Sequence, residues 1–514
     1  MHRLLALCFG LLFSANGWGD LAALSYRDVS SDPAKAGFAV SRQEFVEQID
    51  FLLAHGYRPV SLDFLSKVRR GQASLPEKAV LLSFDGGYQS YHDFVHPLLK
   101  RYGVPSVLAV VTGWQDGLRP PEHAAKLIAW EELRALSRSP LVEIVTQSHD
   151  LHHGVRSNPQ NNSAPAGTTR AYEPGQGYES EAQFRARLRR DLGTSVARLK
   201  QGNIHPRGVA WPFGAYDAVL LEEADRLGFE FQLGLDDGRA TGADFVHINR
   251  IFMSPGMGVR GLSQALLRPE WTAAPLRFVG IRLDDIAHAD AARQEQNLSR
   301  LLDRLEALGV NAVLVSPFTA DLKAAFFPNH QLPVESDLLN RFLQQVRDRT
   351  PVRHTILELP AQLSVTDSDA LYAQLLQHAG WFRAAVVSGA VPGEARGKLQ
   401  SLIHRQRPSV KVGVTGMPGD AHSGAEFALV DIDAGLSERA LTAAGARAAA
   451  LGANALLVRV RNTSVTHDGA LARAFLVLSA AGVRHLGYGH DDFITGRPAL
   501  AAVRREVSVR EIRN

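Results

Sequence analysis

Short apolar runs rich in β-branched residues alternate with longer amphipathic segments along most of the chain, and no other feature constrains the fold as tightly. A strand, a helix and a second strand in that order give parallel strands joined by crossover helices. In the first half, strands are expected near Leu21–Tyr26, Val80–Asp85, Ser106–Thr112, Glu143–Ser148, Gly208–Pro212 and Phe229–Leu235. Helices between them include Ser41–Ala54, Tyr91–Tyr102 and Glu181–Lys200. The stretch Arg156–Tyr178 is rich in Asn, Pro, Gly and Ser without periodicity, and is expected to be a long surface loop. The pattern breaks between Pro255 and Pro275 and restarts at Arg277. Eight further strands follow: Arg277–Leu283, Ala312–Phe318, His354–Pro360, Ala384–Gly389, Val410–Gly416, Phe427–Asp433, Ala455–Arg461 and Val483–Gly489. Helical segments such as Gln294–Leu308, Asp337–Arg349 and Leu436–Leu451 separate most of them, which is the pattern of a (β/α)8 barrel. The gaps around Val410 and Phe427 are short for full helices.

The 514 residues exceed what one ordinary core accommodates at roughly 150 residues per domain. The expected organisation is α/β: a first irregular (β/α) barrel over residues 20–270 and a (β/α)8-like barrel over residues 277–514. Residues 1–19 have the form of a secretory signal, with a basic start, the apolar run Leu4–Phe13 and small residues before Asp20. A periplasmic location is therefore expected. The only cysteine, Cys8, lies inside this segment, and the bulky Leu7 before it argues against a lipid anchor. The formal net charge is only +3, so a nucleic-acid partner is not expected.

Chemistry gathers at strand ends in the first half. Asp85 ends an apolar strand and is followed by Gly86-Gly87-Tyr88, a placement at the mouth of such a barrel. The segment Gln147-Ser148-His149-Asp150-Leu151-His152-His153 sets three histidines and an aspartate just after another strand. Imidazole with carboxylate suits a divalent transition metal, and a polar loop with local hydrogen bonds is the competing explanation.

Leu75-Pro76-Glu77-Lys78 through Tyr88, Pro97-Leu98-Leu99-Lys100, Trp130-Glu131-Glu132-Leu133, Asp150-Leu151-His152-His153-Gly154 and Trp211-Pro212-Phe213-Gly214-Ala215-Tyr216 together resemble the PgaB-type poly-β-1,6-N-acetylglucosamine N-deacetylases. That family joins a NodB-type polysaccharide deacetylase domain to a glycoside-hydrolase-like barrel. The resemblance extends to Phe327-Pro328-Asn329, Asp337-Leu338, Asn340-Arg341, Gly487-Tyr488 and Asp491-Asp492-Phe493.

The resemblance implies a general base at Asp85 and a metal triad of one carboxylate and two histidines. Gly86 stands at the carboxylate position and Gln147 at the first histidine position, leaving His152; His149 is a possible replacement ligand in a displaced site with Asp85. The family's early Tyr-His-Asp-Val is here Tyr26-Arg27-Asp28-Val29. In the second barrel Arg282 replaces a family carboxylate while Asp284 is kept, and Val387-Ser388-Gly389-Ala390-Val391 lacks the family's acidic pair, so ordinary glycoside hydrolysis is not expected. Tyr88, Trp114, Trp211, Phe213 and Tyr216 offer aromatic faces for sugar rings, and Asp284, Asp491 and Asp492 offer hydrogen bonds to hydroxyls or amines. Core packing and turn capping are the ordinary explanations for these residues.

Two readings follow. In the first, the chain is a catalytically impaired homologue that binds an N-acetylglucosamine-containing polysaccharide or the machinery that exports it, with no cofactor. In the second, it is an active N-deacetylase with a rearranged site holding one divalent metal: Zn, Ni, Co or Fe. Restoring Gly86→Asp and Gln147→His is expected to rescue metal binding if the scaffold is otherwise intact.

Overall fold

The structure is a computed structural model that describes residues 21–33, 38–118, 126–235, 245–267, 274–361, 363–379, 382–389, 393–407, 410–416, 425–449, 456–461 and 468–509. The signal-like segment 1–19, Cys8 and the pair Ala390-Val391 lie outside the described residues. No helix among the described residues is long and apolar enough to cross a membrane.

The first sheet runs, in spatial order, His247–Asn249, Phe231–Gly234, Gly208–Ala210, Val142–Thr146, Ser106–Val110, Ala79–Asp85, Leu21–Tyr26 and Ile251–Phe252, with Arg58–Pro59 paired to Ala79–Asp85. Every pairing in it is parallel. Its two edges are the two halves of one segment: residues 247–249 pair with one side, 251–252 with the other, and Arg250 lies between them. The sheet is thus a nearly closed barrel whose seam is crossed by a single bent stretch of chain. The periodicity does not reveal this seam, because Asn249 and Arg250 interrupt its apolar run.

Local chemistry sets the element ends. Ser41 accepts a hydrogen bond from the Glu44 N–H and starts the helix Arg42–Ala54, and Ser180 with Gln183 forms a capping box before Glu181–Gln201. The helix expected over Tyr91–Tyr102 divides into a π-helical turn, Tyr91–Val95, and an α-helix, His96–Tyr102. The strand expected to end at Thr112 stops at Val110, and that expected to end at Ser148 stops at Thr146. The break placed at Pro255–Pro275 holds a helix, Gly258–Leu267, that packs on Arg42–Ala54 and belongs to the first barrel.

The second sheet is a closed parallel barrel of Arg277–Arg282, Ala312–Ser316, His354–Pro360, Ala384–Ser388, Lys411–Thr415, Phe427–Asp433, Leu456–Arg461 and His485–Gly489. The eight expected strands are all present, and Phe278 opposite Gly487 closes the ring. Helix Ala291–Leu308 buries Leu298, Leu301, Leu302, Leu305 and Leu308 on one face. Burying each such side chain is worth roughly 1.5–3 kcal/mol.

The stretch 156–178, expected to lie on the surface, is a strap between the barrels. It forms two small hairpins, Gly154–Arg156 with Ser163–Pro165 and Tyr172–Glu173 with Gly177–Tyr178, and buries Ser157, Asn158 and Ala166. The Asn340 Oδ1 of the second barrel accepts from Ser157 Oγ at 3.2 Å and Asn158 Nδ2 at 3.3 Å, while Tyr178 donates to Asp337 and packs edge-on against His378. Asn and Ser serve here because a buried irregular backbone needs side-chain hydrogen-bond partners.

Candidate functional site

The strand Ala79–Asp85 delivers Asp85 to the carboxyl-end rim of the first barrel, where its carboxylate is buried. Arg250, at the seam, is also buried and donates to Oδ1 at 2.6 Å and Oδ2 at 3.0 Å. Ser25 Oγ donates to Oδ2 at 3.2 Å, and Arg250 also donates to Ser83 Oγ at 3.0 Å. Asp85 is therefore a charge-balanced anion with donors on both oxygens. Arg250 escaped the sequence reasoning, because the mixed segment His247-Ile248-Asn249-Arg250-Ile251-Phe252-Met253 carries no clear strand pattern to mark it.

After Asp85 the chain turns at Gly86, where φ is +102°, a backbone conformation that L side chains avoid. A Cβ added there would lie 2.5 Å from the Tyr88 ring. Tyr88 itself accepts a 3.0 Å hydrogen bond from Arg27 Nε, so that guanidinium sits at the mouth.

The second cluster is held differently from the expectation. The strand before it ends at Thr146, and Ser148 has φ +75°, so His149 does not continue Gln147's strand face. His149 Nδ1 instead contacts Thr112 Oγ1 at 3.0 Å, in a network in which Ser195 Oγ meets both Thr112 and Thr146. Asp191 accepts the His149 and Asp150 N–H groups at 2.9 and 2.6 Å, and burial pushes its carboxyl up to about 6. Gly113 lets this turn approach closely, since a Cβ there would stand 2.3 Å from the His149 carbonyl oxygen. The His152 ring lies between Trp114, at 4.8 Å, and Phe213, at 4.6 Å between centroids. Burial, followed by the charge of Arg27, lowers its pKa to about 4, so it is neutral at pH 7. Gln147 is buried, with no partner for its Oε1 among the described residues.

The aromatic residues divide sharply. Trp211 and Tyr216 belong to the core beneath the rim, and Tyr88 and Trp114 form a small buried cluster of their own. Only Phe213, 39% exposed at φ +58°, presents a ring to solvent.

In the second barrel, Asp284 accepts the Ala320 N–H at 3.0 Å, and Arg282 pairs with Asp285 at 2.9 Å. Asp491 is not offered to a ligand: it is buried, accepting from Arg304 at 2.6 Å and Tyr488 at 2.5 Å. Asp492 caps the turn at Thr495. The acidic pair is absent from residues 387–391 as read from the sequence, yet Glu358 and Asp431 enter this barrel from two other strands. Arg459 bridges them, at 2.7 and 3.1 Å to Glu358 and 2.6 and 3.0 Å to Asp431. His490 lies within the field of this group, its pKa lowered to about 4 by burial and then by Arg282 and Arg459. Charged residues inside apolar parallel strands were the signal that sequence reasoning passed over.

Residues 72–232 match the family described as Polysaccharide deacetylase, and residues 280–359 match Hypothetical glycosyl hydrolase family 13. The chain carries a polysaccharide deacetylase domain and a glycoside-hydrolase-like domain. The poly-beta-1,6-N-acetyl-D-glucosamine N-deacetylase of Escherichia coli (strain K12) is 28% identical over 348 residues, 64% of this chain and 51% of that protein. The chain thus spans about half the length of the curated relatives it matches first. Among solved structures, the BpsB deacetylase domain from Bordetella bronchiseptica is 33% identical, covering 46% of this chain and 96% of that one, with a TM-score of 0.41. A de-N-acetylase from Aggregatibacter actinomycetemcomitans is 27% identical, covering 48% and 99%, with a TM-score of 0.45.

A divalent metal does not fit the deacetylase-domain residues that the resemblance assigns to it. Gly86 has no donor atom, Gln147 offers a neutral amide, His152 is enclosed by two aromatic rings, and Arg27 and Arg250 bring positive charge to the rim. Among the described residues, Asp85, His149 and His152 do not come together as a ligating group.

Proposed function

We propose that the chain is a homologue of the poly-β-1,6-N-acetylglucosamine N-deacetylases that binds an N-acetylglucosamine-containing polysaccharide without metal-dependent deacetylation in its first barrel. On this reading it is exported to the periplasm and acts in polysaccharide export or biofilm formation, alone or with the export machinery. The observation that carries the proposal is Gly86: the position assigned to the metal carboxylate has no side chain, and adding one would strain the backbone at φ +102° and displace the Tyr88 ring. Hydrolysis of an unactivated amide near neutral pH needs a polarised carbonyl and an acidified water, both of which the family's metal supplies.

The test measures metal content and acetate release from N-acetylglucosamine oligomers. The expected result is no acetate release, both in the wild type and in the Gly86→Asp/Gln147→His variant, since the new aspartate meets Tyr88. Acetate release by the wild type that Asp85→Asn abolishes would overturn the proposal in favour of an active N-deacetylase. Rescue by the double substitution alone would show that the scaffold had kept its ligand geometry.

A further inference from the structure

We propose that Arg27 and Tyr88 form a carboxylate-binding subsite at the mouth of the first barrel, so that the polysaccharide held there carries acidic sugars among its N-acetylglucosamine units. Such a subsite presupposes the polysaccharide binding just proposed and names the class of polymer. Arg27 directly follows the strand Leu21–Tyr26, whose Tyr26 is in register with Phe84, so it stands level with Asp85 on the neighbouring strand. Three charged groups act on Tyr88: Arg27, Asp28 and Asp85. Asp85 is buried and paired at both oxygens with buried Arg250, and Asp28 is buried with its Oδ1 accepting from the Ser90 hydroxyl. Arg27 is instead partly exposed, and it has no carboxylate partner among the described residues.

Arg27 is held in place rather than left to sweep through solvent. Its Nε donates to the Tyr88 hydroxyl oxygen at 3.0 Å, and its guanidinium carbon lies 5.4 Å from the centre of the Phe38 ring, a cation–π contact. Phe38, which the sequence reasoning passed over, is 57% exposed and meets Phe252 of the seam edge-on, 6.4 Å away between centroids. Nε is thereby used, while the two terminal nitrogens have no acceptor among the described residues. They belong to the planar fork that takes both oxygens of a carboxylate.

Tyr88 points to the same ligand independently. Its side chain is only 5% exposed, and its oxygen lies against Arg27. Burial, against the opposing charge of Arg27, raises its pKa above the usual tyrosine value, so the hydroxyl keeps its proton at neutral pH. That proton has no acceptor among the described residues, since the oxygen receives Arg27 Nε–H and no hydrogen bond leads onward. A buried hydroxyl with an unmatched proton, beside an unmatched guanidinium fork, calls for one negatively charged acceptor. One cation and one hydroxyl match the single charge of a carboxylate better than the double charge of a phosphate. The surroundings suit a sugar chain: ring contacts run from Tyr88 through Trp114 and His152 to Phe213, with centroids 6.2, 4.8 and 4.6 Å apart. Exposed Phe38 and Phe213 stand at the two ends of this run, and the neutral His152 within it brings no competing charge.

The full chain is titrated by calorimetry with oligosaccharides that alternate N-acetylglucosamine and glucuronic acid, with the same oligosaccharides after reduction of their carboxyls to alcohols, with neutral N-acetylglucosamine oligomers, and with inorganic phosphate. The acidic form is expected to bind about tenfold or more tighter than its reduced form, the worth of a charge-assisted hydrogen bond. Arg27→Met should bring the two forms to equal affinity, Arg27→Lys should keep only part of the preference, and Tyr88→Phe should reduce it; circular dichroism confirms that each variant folds. Equal affinity for the two forms in the wild type, a preference that survives Arg27→Met, or phosphate binding as tight as the acidic oligosaccharide would each overturn the subsite. Neutral oligomers bound in preference to acidic ones would overturn it while sparing the proposed function, whereas no oligosaccharide bound at all would overturn both.

Discussion

Among the five aromatic residues singled out in the first barrel, Phe213 is the one that combines exposure with contact to the His152 ring. It occupies the left-handed region at φ +58°, where a bulky L residue costs about 1–2 kcal/mol. A ring kept there at that cost is positioned for use, and sugar C–H faces stack on such rings. Phe213→Gly removes the ring and relieves the backbone together. Affinity for N-acetylglucosamine oligomers is expected to fall between about twofold and tenfold, from about 0.5–1.5 kcal/mol of lost stacking, while Tm holds or rises. Unchanged affinity in calorimetry would remove Phe213 from the binding surface. Reading residue types alone gave Trp211, Tyr216 and Tyr88 equal standing with Phe213, because sequence does not register which ring the core has taken.

At the scale of elements, strands with continuous apolar runs were legible to within a few residues: Leu21–Tyr26, His354–Pro360 and Phe427–Asp433 fall where expected. The seam segment 247–252 was not, since it serves two edges in turn and breaks its pattern at the residue that pairs with Asp85. That residue carries a measurable load. Arg250→Met strands Asp85 as a buried charge and is expected to cost about 3–5 kcal/mol in urea unfolding. Adding Asp85→Asn should recover much of that loss, because the charge is then gone. A double-mutant cycle with no coupling between the two positions would mean that the ion pair contributes nothing to closure. The carboxylate pair bridged by Arg459 was missed for a related reason: Glu358, Asp431 and Arg459 are separated in sequence, and only barrel closure brings their strands together.

The two barrels meet through the strap, whose Tyr178 donates to Asp337. Burial pushes the Asp337 carboxyl up to about 6, with the Tyr178 hydrogen bond opposing it. A carboxyl that holds its proton more tightly in the folded than in the unfolded chain stabilises the fold at low pH, and that contribution is lost as pH rises from about 4 towards 6. Asp337→Asn lacks this slope. Its stability relative to wild type should therefore rise across that interval, by up to about 3 kcal/mol; a difference independent of pH would show that Asp337 is not buried against the strap. The division into two α/β barrels was legible from periodicity, whereas the contact between them was not, because a stretch rich in Asn, Pro, Gly and Ser looks the same whether it faces solvent or another domain.

The seam of the first barrel also bears on how the chain folds. Asp85 and Arg250 are 165 residues apart in sequence, so the carboxylate and the guanidinium that neutralises it meet only when the two ends of the domain come together. The sheet cannot acquire its last edge until residues 247–252 are free to pair with it. Until then the forming barrel has two unpaired strand edges and a bare acid at its rim, the features that expose a folding intermediate to edge-to-edge association.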